Sequence, residues 1–239
     1  MQKNQQVMYP EEREYSWQDG KTLTIGKKTL IMGILNVTPD SFSDGGKWNS
    51  IDRAVQHMLE MVVNGADIID IGAESSRPGF VTMSAKEEIE RLKPFLEAVL
   101  PACPVPVSID TFKAETAAYA AEQGVHMLND IWGLQYAEEP GEMAKVAAEY
   151  DLPVVVMHNR DSKVYKGDII DSMRAFFQRS IDIACEAGVK QENIILDPGI
   201  GFGKDVEGNL EVMNRLQELK KFAGHRYPLL LGTSRKSFI

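Results

Sequence analysis

The sequence predicts an α/β fold of the (β/α)8 TIM-barrel class, and three observations point there. Seven short apolar runs alternate with amphipathic stretches along the 239 residues, as repeated β-then-helix units do. Nearly every run ends in a polar side chain able to do chemistry. Barrels assemble their sites from many strand ends, whereas an open doubly wound sheet concentrates its site at one crevice. No run is followed by the dinucleotide fingerprint G-x-G-x-x-G.

Residues 1–29 read as a lead-in, with Leu23-Thr24-Ile25 and the following Gly26-Lys27-Lys28 marking a small hairpin across one end of the core. Residues 30–239 form the barrel. Its first strand, residues 30–35 (LIMGIL), is too short for an ordinary helix and is apolar throughout, as a strand buried on both faces is. It stops at Asn36, and Pro39 with Gly45-Gly46 makes the next stretch a loop. A helix is expected over 51–65, with apolar Ala54, Val55, Met58, Leu59 and Val62, Ser50 as N-cap and Gly65 as stop.

The second strand is 67–72, followed by Glu74 and Ser75-Ser76-Arg77-Pro78-Gly79. Ser84 opens a helix to about residue 100, and Ser84 with Glu87 forms a capping box. Strands over 104–109, 125–128, 153–157 and 193–196 end in Asp110, Asn129-Asp130, His158-Asn159 and Asp197. Helices over 113–123, 142–150, 168–187 and 208–222 alternate with them, two closed by Gly124 and Gly188. A seventh strand over 227–231 leads to Arg235-Lys236. The count is one short of a closed ring, which leaves two unpaired edges. The expectation is therefore a fragment of a longer barrel, lacking its C-terminal eighth strand and last helices.

Composition narrows the function. Lys and Arg total 26 against 35 Asp and Glu, a net charge of −9, which disfavours nucleic-acid binding. No apolar run approaches the ~18–20 residues of a membrane span, and the amino terminus has no signal-peptide core. Cys103 and Cys185, outside any C-x-x-C spacing, read as two buried thiols in a reducing cytosol. A cytoplasmic protein with small-molecule substrates is expected.

One mouth of such a barrel gathers Asn36, Asp70, Glu74, Arg77, Asp110, Asn129, His158, Asn159, Asp197, Arg235 and Lys236. A lone Asp at a strand end is commonly a cap or turn residue, but capping does not readily explain several strands ending this way. Acceptors, amides and cations in one ring suit a polar heterocycle with an anionic tail. Other readings fail on spacing. Residues 199–204 (GIGFGK) have Asp205 at the Ser/Thr position and the wrong glycine spacing for a phosphate-binding P-loop. The histidines His57, His126, His158 and His225 lack zinc-ligand spacing, and no G-x-S-x-G elbow is present. His158 is either a site residue or a satisfied core histidine. Trp132 and Phe202, just past strand ends, either flank a planar ligand or pack in the core.

The segments GILNVTPDSF (33–42), IGAESSRPG (71–79), SIDT (108–111), Asn129-Asp130-Ile131, VMH (156–158), DPGIGFGK (197–204) and GTSRKSF (232–238) resemble dihydropteroate synthase, in the expected order from Leu30 onward. That family joins 6-hydroxymethyl-7,8-dihydropterin pyrophosphate to p-aminobenzoate on a (β/α)8 barrel, usually a homodimer, with Mg²⁺, and is the sulfonamide target. The resemblance implies a pterin pocket of Asp110, Asn129, Met157, Asp197, Phe202 and Lys236. It implies a pyrophosphate site of Asn36, Thr38, Asp40, Ser76 and Arg77, with Asn36 also an oxygen ligand of Mg²⁺. A p-aminobenzoate slot of Phe42, Arg77, Pro78 and Ser237 follows, and the catalytic set is Asp110, Lys236 and Arg77. Two departures stand out: Ser76 replaces the family's more frequent Thr, and no Arg-x-His pyrophosphate grip precedes Ile239. A catalytically silent pterin-binding homologue and a pterin-binding methyltransferase domain are the alternatives.

Overall fold

The computed structural model describes residues 12–38, 46–74, 82–234 and 236, with 46–49 described by backbone alone. Six short strands form its centre: β3 (Met32–Asn36), β4 (Ile68–Gly72), β5 (Val107–Asp110), β6 (Met127–Asp130), β7 (Val154–Met157) and β8 (Ile194–Asp197). All pair in parallel, each with its neighbour in sequence. The order never reverses, so the sheet winds in one direction, whereas a doubly wound sheet changes direction at a switch point.

Side-chain alternation along the strands separates two cores. Leu35, Ile69, Ile71, Val107, Ile109, Leu128, Val154, Val156, Ile194 and Leu196 point to one face, where they are buried with apolar residues of the helices. Those helices are α1 (Gly46–Val63), α2 (Ala85–Ala102), α3 (Ala114–Gln123), α4 (Glu142–Glu149), α5 (Ile169–Ala187) and α6 (Val206–Asn214). The opposite parity, Ile68, Met127, Val155 and Ile195, forms a second, smaller core without helix residues. Helices on one face and a separate inner core are the layering of a barrel wall.

The inner core is floored by an antiparallel hairpin, β1 (Arg13–Ser16) and β2 (Thr22–Ile25). Two four-residue strands are marginal alone, and docking holds them here. Tyr15 and Leu23 are buried against the inner core. Arg13 donates to the carbonyls of Glu192 (2.7 Å), Ile194 (2.9 Å) and Arg226 (2.8 Å). His126 accepts from the Val107 N–H (3.0 Å), and its other ring nitrogen lies 3.0 Å from Asp19, in the hairpin turn. Arg13→Ala is expected to lower unfolding free energy by about 1–3 kcal/mol, read from the midpoint of a urea titration; an unchanged midpoint would show that the hairpin only rests on the barrel.

One local expectation holds, the Ser84 capping box, and several others are corrected. The first helix starts at Gly46, so Ser50 lies inside it and is not the N-cap. The Ser84 capping box forms, with Glu87 N–H donating to Ser84 Oγ at 3.3 Å and Ser84 N–H to Glu87 Oε2 at 2.9 Å. The helix expected over 208–222 breaks at Asn214 into a 3-10 turn, Leu216–Leu219. A tight hairpin follows, β9 (Lys221–Phe222) and β10 (His225–Arg226). Its two turn residues, Ala223 and Gly224, have φ of 45° and 88°, the left-handed pair that a two-residue hairpin requires.

The seventh strand contracts to one parallel bridge, Leu229 to Leu196, flanked by Leu196 N–H to Pro228 O and Leu230 N–H to Leu196 O. Pro228 has no N–H to extend the ladder. Among the described residues the ring is not closed, and Ile31 and Ile34 at the β3 edge stay 55% and 56% exposed. Cys103 is buried, but Cys185, expected to be buried, is exposed on α5. No described helix is long and apolar enough to cross a membrane.

Candidate active site

The inward parity that floors the barrel becomes polar at the carboxyl ends of the strands. Register sets Asp70 beside Ser108, Gly72 beside Asp110, Asp110 beside Asn129, and Met157 beside Asp197. Four of the predicted pterin residues thus occupy the tops of adjacent strands β5 to β8, on one face. Phe202 and Lys236 reach the same end from the loops after β8 and after the Leu229 bridge.

The β4–β6 side is acidic. Asn129 Nδ2 donates to Asp70 Oδ2 at 3.0 Å. Asp70 and Ser108 stand side by side in register, and Asp70 Oδ1 and Ser108 Oγ are buried with no hydrogen bond of ordinary geometry among the described residues. Burial raises the Asp70 pKa, against the lowering effect of its polar neighbours Ser108 and Asn129. The half-buried Asp110 carboxyl is pushed well above the ordinary carboxylate range by burial first, then by the charges of Asp70, Glu88, Asp130 and Glu74. Gly72 makes room for it, since a Cβ there would stand 3.2 Å from Asp110 Oδ2.

A buried knot fixes the loops around this cluster. Lys113 binds Glu74, and also Glu88 at 3.1 Å. Glu88 further accepts from Thr111 Oγ1 (3.1 Å) and Thr116 Oγ1 (2.8 Å). Sequence reasoning passed over Glu88, Lys113 and Thr116. The signal was present: Glu88 lies on the buried stripe Leu92, Leu96, Val99 of α2, where an unpaired charge is costly. Asp130 points outward, is fully buried, and accepts from the Trp132 (2.8 Å) and Leu134 (2.7 Å) N–H groups. Burial raises it to about 7, and its work is to shape the loop after β6.

The β7–β8 side carries the cations. Asp197 Oδ1 accepts from the Gly199 N–H at 2.7 Å. Burial raises its pKa to about 6, opposed by that hydrogen bond and by the charges of Lys204 and Lys236. Lys236 Nζ stands 4.3 Å from the centroid of the Phe202 ring, a cation–π contact. Gly201, at φ +86°, admits it, since a Cβ there would lie 3.0 Å from Lys236 Cδ. Met157 is buried beneath.

His158 resolves to a core histidine. It is 2% exposed, meets Phe176 edge-on at 4.9 Å, and lies 3.0 Å from Lys204 Nζ through Nδ1. Burial and the nearby Lys204 and Arg160 charges depress its pKa to about 2, so its ring is neutral. Trp132 lies against Tyr136, ring centroids 6.4 Å apart. His57 and His225 are exposed. Asn36 is exposed at the tip of β3, paired with Gly72, and Thr38 follows Val37, whose N–H bonds Gly72 O at 2.9 Å. Asp40, Phe42, Ser76, Arg77, Pro78, Arg235 and Ser237 lie outside the described residues. Among the described residues no three His, Cys, Asp or Glu side chains converge as a metal site.

A singly wound parallel β/α wall, floored with apolar side chains and rimmed by carboxylates, an amide and a lysine, defines an enzyme of the barrel class built to hold a polar ring system. Comparison with known proteins makes this specific. Residues 32–239 match the family described as pterin binding enzyme. A dihydropteroate synthase of Clostridium beijerinckii is 54% identical over 92% of this chain and 79% of its own length. The solved dihydropteroate synthase of Clostridium difficile, in the presence of pteroic acid, is 52% identical with TM-score 0.83, over 89% of this chain and 78% of that one. That of Xanthomonas albilineans, with 4-aminobenzoic acid, is 36% identical, also with TM-score 0.83, over 92% and 78%. The chain belongs to the dihydropteroate synthase family of pterin binding enzymes.

Proposed function

We propose that this chain condenses 6-hydroxymethyl-7,8-dihydropterin pyrophosphate with p-aminobenzoate, releasing pyrophosphate and forming dihydropteroate. The observation that carries this reading is Asp197 at its strand end, oriented by the Gly199 N–H, on the same side of the site as Lys236 over Phe202. A pterin offers a ring N–H beside an exocyclic amine, two parallel donors that a carboxylate accepts together. Lys236 then donates to the carbonyl edge, and Asn129 and Asp110 meet the remaining ring nitrogens. The pteroic acid and 4-aminobenzoic acid in the solved relatives support both halves of the substrate pair.

The reaction begins as the C–O bond to pyrophosphate breaks, its electron pair leaving with the phosphate, and a cation spreads into the pterin. Asp110 and the four carboxylates that act on it share one bound ammonium, Lys113 on Glu74 and Glu88, so acidic groups outnumber cations and a cation developing beside them is stabilised. The p-aminobenzoate amine then adds its lone pair to the methylene and gives up a proton.

Asn36, exposed above β3, fits a single oxygen ligand for Mg²⁺ that keeps its waters and the substrate's phosphates. When bound, Mg²⁺ supplies charge neutralisation of the leaving pyrophosphate. On the family pattern, Thr38, Asp40, Ser76 and Arg77 attend the same group, and Phe42, Arg77, Pro78 and Ser237 frame p-aminobenzoate. The reading extends to a cytoplasmic homodimer: the family resemblance supports the dimer, and the free thiols support a reducing compartment.

Pyrophosphate release measured with and without p-aminobenzoate tests the activity. Release that depends on p-aminobenzoate is expected; pterin binding without turnover would favour the silent homologue. Arg77→Ala is expected to raise the KM for p-aminobenzoate about tenfold, the loss of roughly one charge-assisted contact, with pterin affinity of the free enzyme nearly unchanged. A comparable fall in pterin affinity, by calorimetric titration, would move Arg77 out of that slot.

A further inference from the structure

The GIGFGK stretch that mimics a phosphate loop is folded with the opposite polarity. A phosphate cradle turns N–H groups inward and leaves its lysine free for the anion. Here the loop turns carbonyls inward around its own lysine. Lys204 Nζ donates to the carbonyls of Gly199 (2.9 Å) and Phe202 (3.0 Å) and to His158 Nδ1 (3.0 Å). An ammonium has three donors, and these acceptors use all of them. The group is 3% exposed, so the loop has no room for an anion.

The loop is rigid for three further reasons. Gly199, Gly201 and Gly203 all have positive φ, at 62°, 86° and 55°, conformations that other residues rarely adopt. A Cβ on Gly199 would lie 2.1 Å from His158 O, and one on Gly203 2.6 Å from Arg160 O, so the loop is pressed on the chain after β7. Asn209 Oδ1 accepts the Gly201 N–H at 2.7 Å, and its Nδ2 donates to Asp205 O at 2.7 Å. The loop begins at Asp197 and includes Phe202, both members of the pterin pocket.

We propose that Lys204 is a positioning residue for pterin recognition: its clasped ammonium fixes where Asp197 and Phe202 stand and supplies positive charge to the Asp197 carboxylate. This rests on the pterin reading above. Asp197 faces Lys204, Lys236 and the Gly199 N–H. Lys204 itself faces Asp197, Arg160, Lys236 and the neutral His158 ring. Burial brings Lys204 down to about 7, so it is protonated in the range near pH 6 where Asp197 titrates.

Two variants separate position from charge. Lys204→Gln keeps two N–H donors and removes the charge; Lys204→Met removes both. Binding of 6-hydroxymethyl-7,8-dihydropterin, which lacks the titrating pyrophosphate, is measured by calorimetry from pH 5 to 8 on the full chain, with circular dichroism reporting the fold. In Lys204→Gln the acid limb of the affinity profile is expected to move up by about half to one pH unit, with affinity at pH 7.5 within about threefold of the unmodified protein. Lys204→Met is expected to lose about tenfold or more at pH 7.5, the effect of leaving buried carbonyls unmatched. Should Lys204→Met not fold, Lys204→Gln decides alone. An acid limb that stays in place overturns the proposal. Absence of pterin binding by the unmodified protein would instead overturn the reading on which it rests.

Discussion

Asp197→Ala is expected to abolish measurable pterin binding. The ligand's two parallel donors lose both charge-assisted acceptors, each worth about 1.5–3 kcal/mol, so affinity falls by roughly 10²–10⁴. Calorimetric titration of the pterin at pH 7.5 reads this directly, and a change below fivefold would remove Asp197 from the pocket. The pH dependence follows from the same group. Its carboxyl holds a proton up to about 6 in the free protein, and only the ionised form accepts both donors. Affinity is therefore flat above that pH and declines as pH falls through it, by about tenfold for each unit below. A carboxylate of ordinary pKa would keep its affinity down to about pH 4.

Asp110→Asn is expected to separate catalysis from binding. The amide keeps the shape and one acceptor, so pterin affinity changes a few-fold. Burial and its neighbours' charges make Asp110 hold its proton well above the ordinary carboxylate range in the free protein, and a cation developing beside it favours the ionised form. The amide cannot ionise, and kcat falls by about 10²–10³, the cost typical of losing one preorganised electrostatic contact. Removing a carboxylate from a cluster that already crowds Asp70, Glu74, Glu88 and Asp130 relieves repulsion, so the variant is also expected to be at least as stable as its parent. Pyrophosphate release kinetics and thermal unfolding check the two halves. Equal losses in affinity and kcat would mean that Asp110 binds the ring without favouring the cation.

Much of the site could be read from the sequence because its rule is local. Six apolar runs became six strands, most of them carrying a polar residue at the carboxyl end, and period-two alternation put Asp110, Asn129, Met157 and Asp197 on the inner face together. What the sequence did not reveal shares a cause. Spacing ruled out a P-loop at Lys204, but the partner that clasps its ammonium lies 46 residues earlier. Glu88 was passed over because the Thr116 hydroxyl that reaches it lies 28 residues later. The seventh strand looked complete in composition, but Pro228 reduced its pairing to one bridge.

The order of the elements and the capping box at Ser84 were determined by the sequence itself. They depend on neighbours within a turn of helix or one strand. Tertiary structure alone decided the rest: the one-way winding of the sheet, the hairpin under its floor, the filled glycine loop and the crowding that lifts Asp110. The physical reason is range. Burial, like-charge repulsion and the pairing of a buried ammonium are set by groups far apart in the chain, and no window of sequence holds them both.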